Sequence, residues 1–476
     1  MKMEKVRKLI INTLKNKFFN YNHVLSLTIV GSFLKKNSLS VISDIDVVII
    51  VDELNEKKYN EIISIFKTIN GEECGLNDYS VKINPTFGPL KFSEENTIVF
   101  HVMIYDVKSH IQHVINSPFT TLDWELYESI LGKNLNDFYN SFPVQMGDII
   151  SSRRGFLNYV KDIDKATINY RKYDFSSGNC EQKTMHFEVD EKHSYEYSFH
   201  VLKFLMLNII KIFTQENSYI EEEKLIENFK YHFSDSFEFF DLFKKLMLYK
   251  NKKIDKFILK TSAVKKIISA LQKEFENKLR EAPKVSFVRH GKTVFNDGSF
   301  LGIGRDPDIL KKNKFSERKF NSVFHSCLKR SKSTAELLYH ENLIETDLLN
   351  EINYGQAEGL NLSELNKKFP KISQGWADKR DPCFPNGECQ EDVKNRLKKF
   401  IKLLTKLSNQ DHICVVTHNV VLRTLIGKCF KISEHYWYKL SITHLEFYDF
   451  ILLNGKLIPN LTEVQRINFK KEIFLK

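Results

Sequence analysis

The chain has 476 residues, 42% hydrophobic and 28% charged, and a formal net charge of +11. Its length exceeds one ordinary core, so two or three domains are expected, and no run reaches the eighteen or so apolar residues of a membrane span. The seven cysteines are odd in number and include no Cys-x-x-Cys pair, which points to reduced thiols in a cytoplasm and away from structural zinc.

Met1 to Lys5 lead into an amphipathic pattern rather than an apolar signal core, so no secretion signal is expected. The lysines form no single block. The positive charge therefore argues weakly for a nucleic-acid partner and suits phosphorylated small substrates.

Residues 1–140 alternate helical and strand patterns, with strands expected at Leu25–Val30, Ile45–Val51, Tyr79–Ile83 and Thr97–Tyr105. Val30-Gly31-Ser32-Phe33 closes the first of these. Gly31 and Ser32, at a turn that enters a helix, would offer backbone N–H groups to phosphate oxygens. Asp44 and Asp46 follow at i and i+2 on the next strand, which puts both carboxylates on one face, within reach of one cation. The plain alternative is a solvated strand edge.

This arrangement resembles the DNA polymerase β-like nucleotidyltransferase superfamily. The resemblance implies a mixed α+β fold, a nucleoside triphosphate (NTP) partner, and Mg2+ on Asp44 and Asp46. A third carboxylate normally comes from a later strand. The strand in question here carries His101 at its middle and Asp106 only at its end, so Asp106 is the weaker third metal candidate.

Residues 141–278 are poor in Pro and Gly and read as an α-helical domain, clearest at Tyr195–Phe213, Lys224–Phe240 and Ala263–Leu279. Phe175 to Asp190, with its Ser-Ser-Gly-Asn sequence, reads as a loop. Arg153, Arg154, Lys161, His193, Tyr195, Tyr197 and His200 could line an acceptor site, or serve only as surface charges and core aromatics.

The third region, 279–476, returns to alternating strands and helices. Lys284–Val288 is a short strand leading into Arg289-His290-Gly291. A neutral imidazole can attack phosphorus, and a guanidinium fork suits the phosphoryl oxygens meanwhile. Ser326 and Arg330 follow a second strand, then Glu351 in Asn350-Glu351-Ile352, with Glu358 nearby. Finally Ile413–Thr417 is a buried strand ending in His418.

This ordered set resembles the histidine phosphatase superfamily, the phosphoglycerate-mutase-like proteins, over roughly residues 284–460. The resemblance implies a three-layer α/β/α fold. His290 would be the nucleophile, and Arg289, Arg330 and His418 would surround the phosphoryl group. Asn296 would help bind phosphate and Glu351 would donate the proton, with no metal required. An Asp-Gly-Ser insertion after Asn296 alters one stretch of the pattern. The segment Ser363–Asp381 is short for a mutase, which favours phosphatase.

The combined expectation is a bifunctional enzyme. It would hydrolyse a phosphomonoester at His290 and transfer a nucleotidyl group from an NTP to a small acceptor at Asp44 and Asp46. The alternative is a phosphatase regulated by a nucleotide-binding module that has lost transfer.

Overall fold

A computed structural model describes residues 3–35, 44–88, 96–151, 155–232, 240–251, 253–406 and 412–473. The chain divides into two compact units: 1–144 with 148–274, and 145–147 with 275–476.

The first unit is built on a five-stranded sheet of β1 (Val24–Val30), β2 (Ile45–Val51), β3 (Ser80–Asn84), β4 (Thr97–Asp106) and β5 (Ser129–Gly132), in the order β3-β4-β2-β1-β5. β1 runs antiparallel to β2 and β5, whereas β4 runs parallel to β2 and β3. The central strands are almost continuously apolar because both faces are covered. Val47, Val48, Ile49 and Ile50 are fully buried, with helices Met3–Phe18 and Glu56–Lys67 contributing Ile10, Leu14 and Phe66 to the same core.

The helical stretch belongs to this same unit. Helix Glu191–Thr214 is long and apolar enough by composition to cross a membrane, but most of that window is buried inside the protein. It packs against helices Leu225–His232 and Phe240–Lys250. Helix Thr261–Glu281 follows, with Val264, Ile268 and Leu271 buried.

The segment expected as a loop at Phe175–Asp190 is half of a hairpin. β6 (Thr167–Asp174) and β7 (Glu181–Glu188) pair antiparallel around Ser176-Ser177-Gly178-Asn179, and Gly178 adopts φ +77°. Met185 and Phe187 lie half-buried on one face of β7 and the rest of the strand is polar, so only a short alternation marks it in the sequence. Arg153 and Arg154 lie outside the described residues.

The second unit carries β8 (Lys284–Arg289), β9 (Lys319–His325), β10 (Tyr339–Glu345), β11 (His412–Thr417), β12 (Phe447–Leu453) and β13 (Lys456–Pro459). Their order is β10-β9-β11-β8-β12-β13, parallel from β10 to β8 and antiparallel beyond. β8 and β11 lie side by side in the middle, so their C-terminal ends open at one point on the sheet edge. Ligands of open α/β sheets bind at such an edge.

Candidate active sites

In the second unit, His290 follows β8 and His418 follows β11. Register Arg289↔Thr417 and the His290 N to Thr417 O hydrogen bond (3.0 Å) hold the two ends level. The imidazole centroids are 5.0 Å apart. His290 Nδ1 lies 2.7 Å from the Gly291 carbonyl. A carbonyl only accepts, so Nδ1 carries the proton and the neutral ring keeps its lone pair on Nε2. Burial, then Arg330 and Arg289, hold His290 well below its ordinary 6.5, which keeps it neutral.

Two arginines flank this ring. Arg330 is fully buried, donating from Nη2 to Gly302 O (2.8 Å) and from Nη1 to Arg305 O (3.2 Å). Arg289 donates from Nη1 to Ile442 O at 2.8 Å. His418 Nε2 is 2.7 Å from Ser326 Oγ. Arg289 Nε, Arg330 Nε and His418 Nδ1 are buried without a hydrogen-bond partner. Leaving a buried polar atom unsatisfied costs about 1–3 kcal/mol, so the two guanidinium N–H groups are available to an acceptor-rich group.

Helix Lys329–Ala335 is fixed to the strand ends by Ser331 Oγ to Val416 O (2.8 Å) and Gly291 N to Thr334 Oγ1 (2.9 Å). Arg330 therefore rides on a short helix pinned to both central strands.

Glu351 is buried and accepts from Ile352 N (3.1 Å), Asn419 N (3.1 Å) and Val420 N (3.2 Å). The last two donors open helix Asn419–Cys429, so that helix end is committed to Glu351. Burial raises its carboxyl above the ordinary 4.5, against the pull of Arg330 and Arg289. Glu358, the nearby competitor, is otherwise employed. Its carboxylate accepts from Gly302 N at 2.8 Å and lies 3.6 Å from Arg305 Nε, bracing the loop that carries Arg330's carbonyl partners.

Asn296 is more peripheral. Its Oδ1 accepts from Thr293 N at 2.6 Å, and its Nδ2 lies 3.3 Å from His444 Nε2. His444, which the sequence reading overlooked, also donates from Nδ1 to the His290 carbonyl at 2.6 Å. It lies 154 positions from His290 in a segment with no motif, so only the tertiary structure reveals it. Glu388, just before the helix Gln390–Leu404, accepts from Asn353 N (2.9 Å) and pairs with Arg396. Cys389 caps that helix.

Residues 285–451 match the histidine phosphatase superfamily (branch 1). The second unit carries a histidine phosphatase domain. Over 156 residues the chain is 29% identical to phosphoserine phosphatase 1 of Hydrogenobacter thermophilus, covering 30% of this chain and 74% of that protein. It is also 29% identical over 159 residues to phosphoglycerate mutase of Schizosaccharomyces pombe, covering 29% and 75%. Among solved structures, Bacillus stearothermophilus YhfR is 19% identical, with a TM-score of 0.34, over 39% of this chain and all of that one. All of these similarities describe the phosphatase domain only in part of the chain.

In the first unit, Asp44 and Asp46 enter β2 together. Register Asp46↔His101 sets the imidazole of β4 directly opposite. His101 Nδ1 is 2.6 Å from Asp46 Oδ1 and 3.8 Å from Asp44 Oδ2, and one ligand atom from each residue lies within 4.8 Å of the others. Gly31, at φ +80°, sits against Asp46; a Cβ there would fall 2.6 Å from Asp46 Oδ2. The positive φ favours glycine, and any side chain there would also push the Asp46 carboxylate aside.

Two expectations need correction. Asp106 is not part of this cluster. It pairs with Val51 in the register, five positions beyond the Asp46–His101 pair, and its carboxylate caps helix Val107–Asn116 by accepting from Ser109 N at 2.7 Å. Ser32 does not start an extended helix either. Gly31 and Ser32 lead into a three-residue 3-10 turn, Ser32–Leu34, which has no helix dipole to offer phosphate. The donor set is thus two carboxylates and one imidazole, a poor match to the oxygen-only preference of Mg2+.

Proposed function

We propose that the phosphatase domain hydrolyses a small phosphomonoester through a phosphohistidine on His290. What supports this reading is a neutral His290 imidazole, 5.0 Å from the His418 ring, with the charges of Arg330 and Arg289 bearing on it. His290 Nε2 attacks phosphorus as the ester P–O bond breaks, and Glu351 supplies its proton to the leaving oxygen. Water then attacks phosphorus, its proton passes to the Glu351 carboxylate, and the P–N bond breaks to release inorganic phosphate. The guanidinium groups and His418 stabilise charge on the equatorial oxygens in both steps, the main demand of phosphoryl transfer.

Hydrolysis is favoured over mutase transfer by the compact 362–377 segment, just two short helices, Leu362–Lys368 and Pro370–Ala377. Rapid-quench kinetics with p-nitrophenyl phosphate test the reading. A p-nitrophenol burst equal to the enzyme concentration is expected, and a His290→Ala variant that retains the burst overturns it.

For the first unit we propose an NTP-binding function with nucleotidyl transfer to a small acceptor, supported by the paired carboxylates of β2 and the glycine seated against Asp46. A divalent cation there would neutralise phosphate oxygens. His101 in the place of a third carboxylate favours a second reading, in which the unit binds a nucleotide and regulates the phosphatase without transfer. Labelled NTP distinguishes them: pyrophosphate release supports transfer, and tight binding without release supports regulation.

A further inference from the structure

We propose that Asp44, Asp46 and His101 form a site for a borderline first-row divalent cation, of the class of Co2+, Zn2+ or Mn2+, in preference to Mg2+. The inference rests on the geometry of this cluster and is independent of whether the unit transfers nucleotides.

The decisive residue is His101. It is 4% exposed and stands at the middle of β4, between β2 and β3. Its Nε2 lies 2.7 Å from the Thr86 carbonyl, which can only accept, so Nε2 is the N–H nitrogen. Thr86 is itself anchored: its hydroxyl donates to Asn84 Oδ1 at 2.7 Å, and Asn84 is the β3 partner of His101 in the register. The ring is therefore oriented from behind by a neighbouring strand. Its other nitrogen, Nδ1, is hydrogen-bonded to Asp46 Oδ1 at 2.6 Å, and a cation bound by both would take the place of the proton they share.

A histidine that donates one N–H to a backbone carbonyl and presents the other nitrogen to anionic oxygens has the outer-shell arrangement of a metal ligand. The ligand atoms are also suitably spaced. Donors each about 2.1 Å from one ion stand roughly 3 Å apart, and Nδ1 is 2.6 Å from Asp46 Oδ1 and 3.8 Å from Asp44 Oδ2. Asp44 is 3% exposed, so the set is sheltered from competing water on that side.

Selectivity follows from the donor atoms. Mg2+ dehydrates reluctantly and seeks an octahedral oxygen shell, so an enforced nitrogen donor gains it little. Imidazole suits Mn2+, Co2+ and Zn2+ increasingly well, while the two carboxylates supply the opposing charge. Three protein ligands leave positions at the ion for water or phosphate oxygens.

The test is calorimetric titration of Co2+, Mn2+ and Mg2+ into the full chain without nucleotide. It uses a Cys383→Ser, Cys389→Ser background, because those thiols and Asp392 also lie within 4.8 Å of one another. One Co2+ per chain is expected, weakened at least about tenfold by His101→Ala. His101→Asp should tighten Mg2+ by about tenfold and relax the preference for Co2+. An unchanged Co2+ affinity in His101→Ala overturns the proposal, as does a parent that already binds Mg2+ as tightly as His101→Asp. Electron spin-echo spectroscopy of Mn2+ in the chain with His101 intact needs no folding of a variant. Imidazole nitrogen coupling supports the site, and its absence overturns it. Failure of pyrophosphate release in the NTP assay would leave these binding results unaffected.

Discussion

The rings of His290 and His418 face each other 5.0 Å apart at the ends of two adjacent parallel strands, although 128 positions separate them in the chain. His290 has its proton committed to Gly291 and His418 is held by Ser326, so the two rings are fixed for different tasks. His290→Ala should lower hydrolysis of p-nitrophenyl phosphate by at least about 1000-fold. Asp44→Ala, in the other unit, should leave it intact. Steady-state assays of the two variants side by side check this, and substantial activity in the His290 variant defeats the assignment.

The two glutamates near the site should separate by leaving group. Glu351→Gln removes the proton donor and should slow alkyl phosphates by about 100-fold or more. In the burst phase, which reports ester cleavage alone, it should affect p-nitrophenyl phosphate much less, because that leaving group departs without protonation. Steady-state turnover of both substrates should fall, since the attacking water loses its base. Glu358→Gln loosens the Gly302 loop instead and should slow both substrates alike. A leaving-group dependence that appears in Glu358→Gln and not in Glu351→Gln would exchange their roles.

The pH profile follows from two opposite displacements. The His290 nucleophile must be neutral, and its depression well below 6.5 carries that form far into acid. Glu351 must be protonated to assist departure of the leaving group, and its elevation above 4.5 extends that form upward. The rate of ester cleavage should therefore fall as pH rises through the Glu351 value and, separately, as pH drops through that of His290. Glu351→Gln should erase the alkaline limb. Measuring both proteins on one alkyl phosphate cancels ionisation of the substrate, and a limb that persists in the variant belongs to another group.

Much of the candidate site was legible because buried parallel strands read as short apolar runs and its side chains sit at their ends. Val285–Val288 and Ile413–Val416 are such runs, and the residues just beyond them are Arg289, His290 and His418. His444 was not legible, because its partners His290 and Asn296 reach it through the fold rather than along the chain. The β6–β7 hairpin escaped notice for a different reason: in β7 only Met185 and Phe187 alternate with polar neighbours, a trace outweighed by the Ser-Ser-Gly-Asn turn signal beside it. Burial of His101 could not be read from an apolar strand containing one histidine. Its register opposite Asp46 required the pairing of β2 with β4.

Asp106 shows how a strand-end carboxylate can mislead. In sequence it is a weak candidate for the third acid, and a strand advances about 3.3 Å per residue, so five positions carry it far from Asp46. What it does instead is local: it accepts from Ser109 N while Ser109 Oγ in turn accepts from its backbone N–H at 3.0 Å, a reciprocal cap on helix Val107–Asn116. Asp106→Ala should therefore cost about 1 kcal/mol of stability, read as a lower thermal midpoint of the full chain. Divalent-cation affinity should be unaltered by the same substitution, whereas Asp46→Ala should abolish it. Loss of cation binding in Asp106→Ala, with the thermal midpoint unchanged, would return Asp106 to the metal site and require β4 to pair with β2 in a different register.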